Sequence, residues 1–158
     1  MAKATYIQPS PKEWVEKFTF KIPINIRYSE TDMSGHLNNV SHLIYFEQGR
    51  VDYFDALSIG DEVLHADAEL MIVAADVACH YLEQVFFRDK LQLGVRIAHL
   101  GNSSMEFEYC LLNEDTERLV AAGRGTIVLV DKSTGRSAPI PESVKKAIMA
   151  FEKMEVVK

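Results

Sequence analysis

From Phe18 the chain alternates. Phe18, Phe20, Ile22, Ile24 and Ile26 are apolar, and Thr19, Lys21, Pro23, Asn25 and Arg27 lie between them. A period of two is the signature of a strand with one buried face. Pro23 has no N–H to donate to a ladder, which places this strand at a sheet edge or a bulge. The period then changes. From Val40 to about Ala56 apolar residues recur at helical spacing, and at 100° per residue Val40, Leu43, Ile44, Val51 and Phe54 share one face. His42, Tyr45, Phe46 and Tyr53 cover much of the remaining circumference, so this helix is expected to be wrapped on several sides. Glu47 falls within the apolar stripe. It reads either as a partly buried carboxylate paired with Arg50 at i+3 or as a second acid near a site.

Four strand candidates follow a polar connection, Leu57–Asp67, that turns at Gly60-Asp61. Glu69–Leu82 is apolar almost throughout. Leu91, Leu93, Val95 and Ile97 share a face, as do Met105, Phe107, Tyr109 and Leu111. Leu119–Val130 is apolar on both faces, with Gly123 and Gly125 marking twist or close approach. Pro141 opens a last helix at its first-turn position, and Val144, Ile148 and Phe151 form that helix's apolar face. Residues 1–17 contain Pro9 and Pro11, show no clear period, and read as an arm or a short turn.

The order is strand, long helix, four strands joined by short polar breaks, and a terminal helix. Consecutive strands with short connections build an antiparallel sheet, so the class is α+β. One long and one short helix cannot cover both faces of such a sheet. The two-sided apolar strands therefore predict a homo-oligomer, with a dimer as its minimum unit.

Bulk properties narrow the function. With 158 residues the chain fits one domain, 1–158, which can bury roughly 70% of the surface its unfolded form exposes without a disulfide or a metal. A net charge of −6 argues against non-specific binding to nucleic acid or an anionic membrane, while leaving room for a local basic patch that meets a phosphorylated ligand. Cys79 and Cys110 sit in apolar runs and read as free buried thiols. No CxxC or HExxH metal motif is present. The first residues have no apolar signal region, and no apolar run is long enough to span a bilayer, so a cytoplasmic protein is expected.

The chemistry concentrates in Ser29–Asn39, between the first strand and the long helix. Gly35 can supply a positive φ or let a ligand approach the backbone. Asn38, Asn39 and Ser41 are all good caps for the helix. Free N–H groups at a helix N-terminus, helped by the macrodipole, can hold a developing oxyanion. Asp32, a few residues upstream, can attack the same carbonyl or deprotonate water against it. Two plainer roles stand beside these: Asp32 can simply bond its own backbone in an Asx-turn, and His36 can merely brace the loop. Asn38 fits a cap better than a catalyst.

The segment TDMSGHLNNVSHLIYFEQGR, Thr31 to Arg50, resembles the strand-to-helix junction of hotdog-fold acyl-CoA thioesterases, in the branch like 4-hydroxybenzoyl-CoA thioesterase. LGNSSMEFEY resembles that family's turn between its third and fourth strands, and RGTIVLVDKSTGRSAPIP its last strand and exit. The likeness runs from about Phe18 to Pro141. It implies a hotdog, a long helix wrapped by an antiparallel sheet of about five strands, assembled as dimers and often tetramers with the thioester at the dimer interface. It implies hydrolysis of acyl-CoA to free acid and CoA, with CoA part of the substrate and no further cofactor or metal. The family's acid falls on Asp32, and its oxyanion-facing N–H on Asn39. Some relatives carry a histidine at that second position, where this chain has asparagine; the nearest histidine is His36.

Further candidates for substrate contact are Gly35, Asn38 and Glu47, Ser103 and Ser104 for the pantetheine or nucleotide, and Lys132 and Arg136 for the CoA phosphates, with Arg88 or Lys90 as substitutes. Tyr45, Phe46, Tyr53 and Phe54 read first as core and second as an acyl pocket. Two other functions fit the fold: a non-catalytic acyl-CoA binding module and, less well, a hotdog enoyl-CoA hydratase. In the hydratase branch an acid and a histidine usually lie five apart, whereas Asp32 and His36 are four apart.

Overall fold

The computed structural model describes residues 4–155. Helix α1 (Pro11–Glu16) precedes strand β1 (Phe20–Asn25). A single 3-10 turn (Tyr28–Glu30) and the polar loop lead into helix α2 (Asn39–Ala56). The short helix α3 (Gly60–Val63) is followed by β2 (Leu70–Tyr81), β3 (Lys90–Leu100), β4 (Ser104–Asn113), β5 (Leu119–Asp131) and helix α4 (Glu142–Glu152). The five strands form one antiparallel sheet in the order β1-β3-β4-β5-β2. Two edges result. Pro23 sits on one of them, β1, where its missing N–H costs nothing. The other edge is β2.

The inner face of the sheet carries the expected alternation. Leu91, Leu93, Val95 and Ile97 of β3 and Met105, Phe107, Tyr109 and Leu111 of β4 are all fully buried against α2. The face that α2 turns to the sheet differs from the one expected. Tyr45, Phe46, Gly49, Tyr53 and Phe54 are buried, whereas Val40 and Ile44 are more than half exposed. Gly49 explains the rotation. A Cβ there would lie 2.7 Å from Leu93 Cδ2 and 2.9 Å from Val95 Cγ2, so the helix seats its one residue without a side chain on β3. The large aromatics then flank the contact line. Phe46 reaches Gly123 on β5, which has no Cβ to block the ring, and stacks on Tyr109 at 4.5 Å. The four aromatics Tyr45, Phe46, Tyr53 and Phe54 are therefore core.

The expected pairing of Glu47 with Arg50 is absent. Glu47 is exposed, and the Arg50 guanidinium turns inward to donate to the Tyr109 hydroxyl at 3.1 Å.

The outer face of the sheet also departs from expectation. Of the segment read as an arm, residues 4–17 hold more than that. Ser10 caps α1 and Pro11 occupies its first turn. The helix lays Trp14, fully buried, on the outer face with Phe18, Cys110 and Ala122. Phe18 precedes β1 and packs edge-to-face on Trp14 at 4.8 Å, so it belongs to this outer cluster and not to the inner face. Trp14 Nε1 donates to Glu108 Oε2 at 2.8 Å, and Arg96 Nε donates to the same oxygen at 2.9 Å. The chain thus covers part of its own outer face. Cys79 and Cys110 are free thiols.

Candidate active site

The loop between β1 and α2 is a closed turn. Thr31 pairs with Leu37 as an isolated bridge. Asp32 N–H donates to His36 O at 2.8 Å, and Gly35 N–H donates to Asp32 O at 3.1 Å. Gly35 takes φ +77 with nothing near its missing Cβ, so it serves backbone conformation and not close packing. Asp32 Oδ1 accepts from Ser34 N–H at 2.8 Å and His36 N–H at 3.2 Å. That is Asx-turn geometry, and it uses one carboxylate oxygen. Among the described residues the other, Oδ2, has no partner. Asp32 is exposed.

The loop is braced from two sides. His36 bridges to Phe86 and packs edge-on against its ring at 4.8 Å, and Leu37 N–H donates to Val85 O at 2.7 Å. On the other side Glu30 is the fastener. Its carboxylate accepts from Arg27 N–H at 2.8 Å and from the Tyr45 hydroxyl at 2.6 Å. Its carbonyl accepts from Asn38 N–H and Ser41 Oγ. Neither Glu30 nor Tyr45 carries a motif that announces this role; the pairing spans fifteen residues and exists only because the loop folds back on the helix.

Asn38 is the N-cap, with φ −60 and ψ 139, and its Oδ1 accepts from Val40 N–H at 3.1 Å. That side chain satisfies one of the helix's first donors. Asn39 N–H, at the first helical residue, has no acceptor among the described residues. No acidic residue occupies the first turn. The positive end of an 18-residue helix is therefore uncompensated by its own side chains, and a free N–H points from it. Such a donor can stabilise charge developing on a carbonyl oxygen.

The remaining candidates are divided by the sheet. Asp32, Gly35, His36, Asn38 and Asn39 lie at the end where β1 stops, and β3 begins there with Lys90 opposite Asn25. Arg88 and Lys90 share that end. Ser103, in the β3–β4 turn, Ser104, which opens β4, and Lys132 and Arg136, beyond β5, lie at the opposite end. β4 is ten residues long, about 33 Å, so one chain does not gather the two groups. Lys132 Nζ donates to the carbonyls of His65 and Ala66 and holds the connection before β2. Arg136 is exposed. Glu47 lines a cavity of about 240 Å³ with Arg50, Val51, Ile72, Ala74 and Ile127, between α2 and the β2 edge. A cavity of about 620 Å³ lies away from Asp32, where Leu100 and Gly101 face α4. Among the described residues no three His, Cys, Asp or Glu side chains gather closely enough to hold a metal ion, and no helix is long and apolar enough to cross a membrane.

Comparison with known proteins agrees with this architecture. The sequence profile of the thioesterase-like superfamily matches residues 26–148. The uncharacterized protein YsmA of Bacillus subtilis strain 168 is 33% identical over 149 residues, covering 94% of this chain and 98% of that protein. The acyl-CoA thioesterase YbgC of Haemophilus influenzae is 22% identical, covering 81% and 93%. The crystal structure of a thioesterase from Thermus thermophilus, complexed with coenzyme A and Zn, superposes with a TM-score of 0.75 at 29% identity, covering 89% of this chain and 99% of that one. The chain belongs to the thioesterase-like superfamily and is a thioester hydrolase on a hotdog fold.

Proposed function

We propose that the protein hydrolyses acyl-CoA thioesters to the free acid and CoA, and that Asp32 and the N-terminus of α2 carry the reaction. The observation behind this is the pairing of two unspent groups on one short segment: Asp32 Oδ2, without a partner, and Asn39 N–H, at an uncompensated helix terminus. The thioester oxygen accepts from Asn39 N–H. Asp32 then attacks the carbonyl carbon or takes a proton from water that attacks it. Either way a C–O bond forms, charge moves onto the oxygen at the helix terminus, and the C–S bond breaks as the CoA sulfur leaves and takes a proton from water or from protonated Asp32. Water attack gives the free acid directly, whereas attack by Asp32 leaves an anhydride that a water molecule then opens to the free acid and the Asp32 carboxylate. His36, half-buried beside the turn, orients Asp32 or water. The acyl-CoA relatives named above support the choice of thioester.

The site is completed by a second copy of the chain. The edge strand β2 exposes Met71, Val73 and Val77, each more than a third accessible, and α2 exposes Val40 and Ile44. A long apolar edge with unpaired backbone groups calls for a partner strand. Antiparallel pairing of two β2 strands about a two-fold axis sets the Tyr81 end of one against the Leu70 end of the other. Leu70 pairs with Asp131 on β5, so Lys132 and Arg136 of the second copy come to the side of this chain's Asp32 loop, where CoA phosphates need cations. Dimers of this kind, and tetramers built from them, are the assembly we infer, acting in the cytoplasm as the two free cysteines suit.

Release of free thiol from a panel of acyl-CoAs, acetyl to palmitoyl with benzoyl and hydroxybenzoyl esters, tests the activity. At least one ester is expected to be turned over. Binding without release from any ester would instead support a non-catalytic acyl-CoA module, a reading that the Asx-turn geometry of Asp32 also fits. For the assembly, the Val73→Lys/Val77→Lys variant is expected to sediment as a monomer at micromolar concentration where the wild type is a dimer, with turnover reduced at least tenfold. A wild type that sediments as a monomer would overturn the assembly.

A further inference from the structure

The two amide groups that flank the α-carbon of Asn39 are each held by a side chain, over and above the helix's own hydrogen bonds. The Asn38 carbonyl, which already accepts from Ser41 N–H at 3.0 Å, also meets His42 Nδ1 at 3.1 Å. A carbonyl oxygen only accepts, so the His42 proton sits on Nδ1. The Asn39 carbonyl accepts from the Tyr81 hydroxyl at 2.9 Å. The two rings meet edge to face, centroids 4.9 Å apart at 85°. His42 is only 4% exposed, and burial lowers its imidazole below the ordinary histidine value, so the ring is neutral at pH 7. Burial, then the neighbouring Cys79, raises the Tyr81 phenol, which keeps its proton to donate. Tyr81 is the last residue of β2, so this bond ties the first turn of α2 to the edge strand.

These contacts bear on one atom group. The Asn38 carbonyl and the Asn39 N–H belong to the same amide. A donor placed on the carbonyl polarises that amide and strengthens its N–H as a donor in turn. The Tyr81 bond holds the next amide, so both planes about Asn39 are set from outside the helix ladder and the direction of its N–H follows. We propose that His42 and Tyr81 form a positioning clamp that aims Asn39 N–H at the thioester oxygen. The proposal rests on the reading that this N–H receives the developing charge. Neither residue needs to touch the substrate.

Tyr81→Phe tests the clamp, because it keeps the ring against His42 and deletes only the hydroxyl. On the best ester from the panel, kcat is expected to fall on the order of tenfold with KM changed less than about twofold. In ¹⁵N relaxation of the same variant, the order parameter of Asn39 N–H is expected to drop from a rigid value of about 0.85 toward about 0.6. A change in only one of the two readouts overturns the proposal: a kcat loss with Asn39 still rigid means direct contact with the substrate, and a looser Asn39 with full kcat means a structural bond alone. A rise in KM without loss of kcat also overturns it. If the wild type cleaves no ester, the functional reading fails by itself, and the order parameter still reports whether the clamp holds Asn39.

Discussion

Asp32→Asn is expected to lose at least 100-fold in kcat on any ester the wild type cleaves, with KM and thermal midpoint little changed. The substitution is well suited to the question. Asn keeps the Oδ1 acceptor that takes the Ser34 and His36 N–H groups, so the turn has no reason to open. What it removes is the negative charge and the nucleophilic second oxygen. Were Asp32 only a turn former, the variant would turn over like the wild type, and steady-state kinetics on one good substrate would show it. Single turnover in H₂¹⁸O tests for direct attack. Label that appears in Asp32 reports an anhydride opened by water at the Asp32 carbonyl; label confined to the product acid is what a general base leaves, and an anhydride opened at the acyl carbonyl leaves the same.

Glu108→Ala carries the largest expected effect on stability. Glu108 is 8% exposed, and one of its oxygens accepts from both Trp14 and Arg96. Removing the carboxylate leaves an indole N–H and a mostly buried guanidinium without their acceptor beneath the N-terminal helix. Breaking a buried pair in this way costs about 3–5 kcal/mol. At roughly 2–4 °C per kcal/mol for a domain of this size, the thermal midpoint is expected to fall by about 6–20 °C in a calorimetric scan. Glu108→Gln, which keeps an oxygen for Trp14, is expected to fall less. Turnover at 25 °C is expected to survive in both, because the cluster lies on the face of the sheet opposite α2. A midpoint unmoved by Glu108→Ala would mean that Trp14 holds the outer face by packing alone.

The strands were legible because their period is local. Each of β3 and β4 carries its four inner residues at the alternate positions read from the sequence, and the edge location of β1 followed from one proline. The loop was legible in part. Gly35 and Asn38 announce a turn and a cap by residue type, and the structure uses them so, while Asn39, an equally good cap by type, is the first residue of the helix. The face of α2 was not legible. Helical spacing put Val40, Leu43, Ile44, Val51 and Phe54 on one face with aromatics around the rest, and which residues meet the sheet depended on where Gly49 could approach Leu93 and Val95, more than forty positions away. The expected pairing of Glu47 with Arg50 lost to the Tyr109 hydroxyl, fifty-nine positions from Arg50. The N-terminal segment escaped for a related reason: six helical residues have too short a period to detect, and Trp14 is recognisable as core only once Glu108 is known to lie under it.

By itself, then, the sequence determined the class of fold, the order and type of its main elements, the loop that holds the acid, and the family, because all of these follow from local periodicity and from one contiguous motif. Tertiary structure decided which way the long helix faces, what covers the outer sheet, and which side chains surround the helix terminus. Those are contacts between residues distant in the chain. Tyr81 and Asn39 are forty-two positions apart, and Trp14 and Glu108 ninety-four. Nothing in either local stretch encodes the other; the sheet's register brings them together.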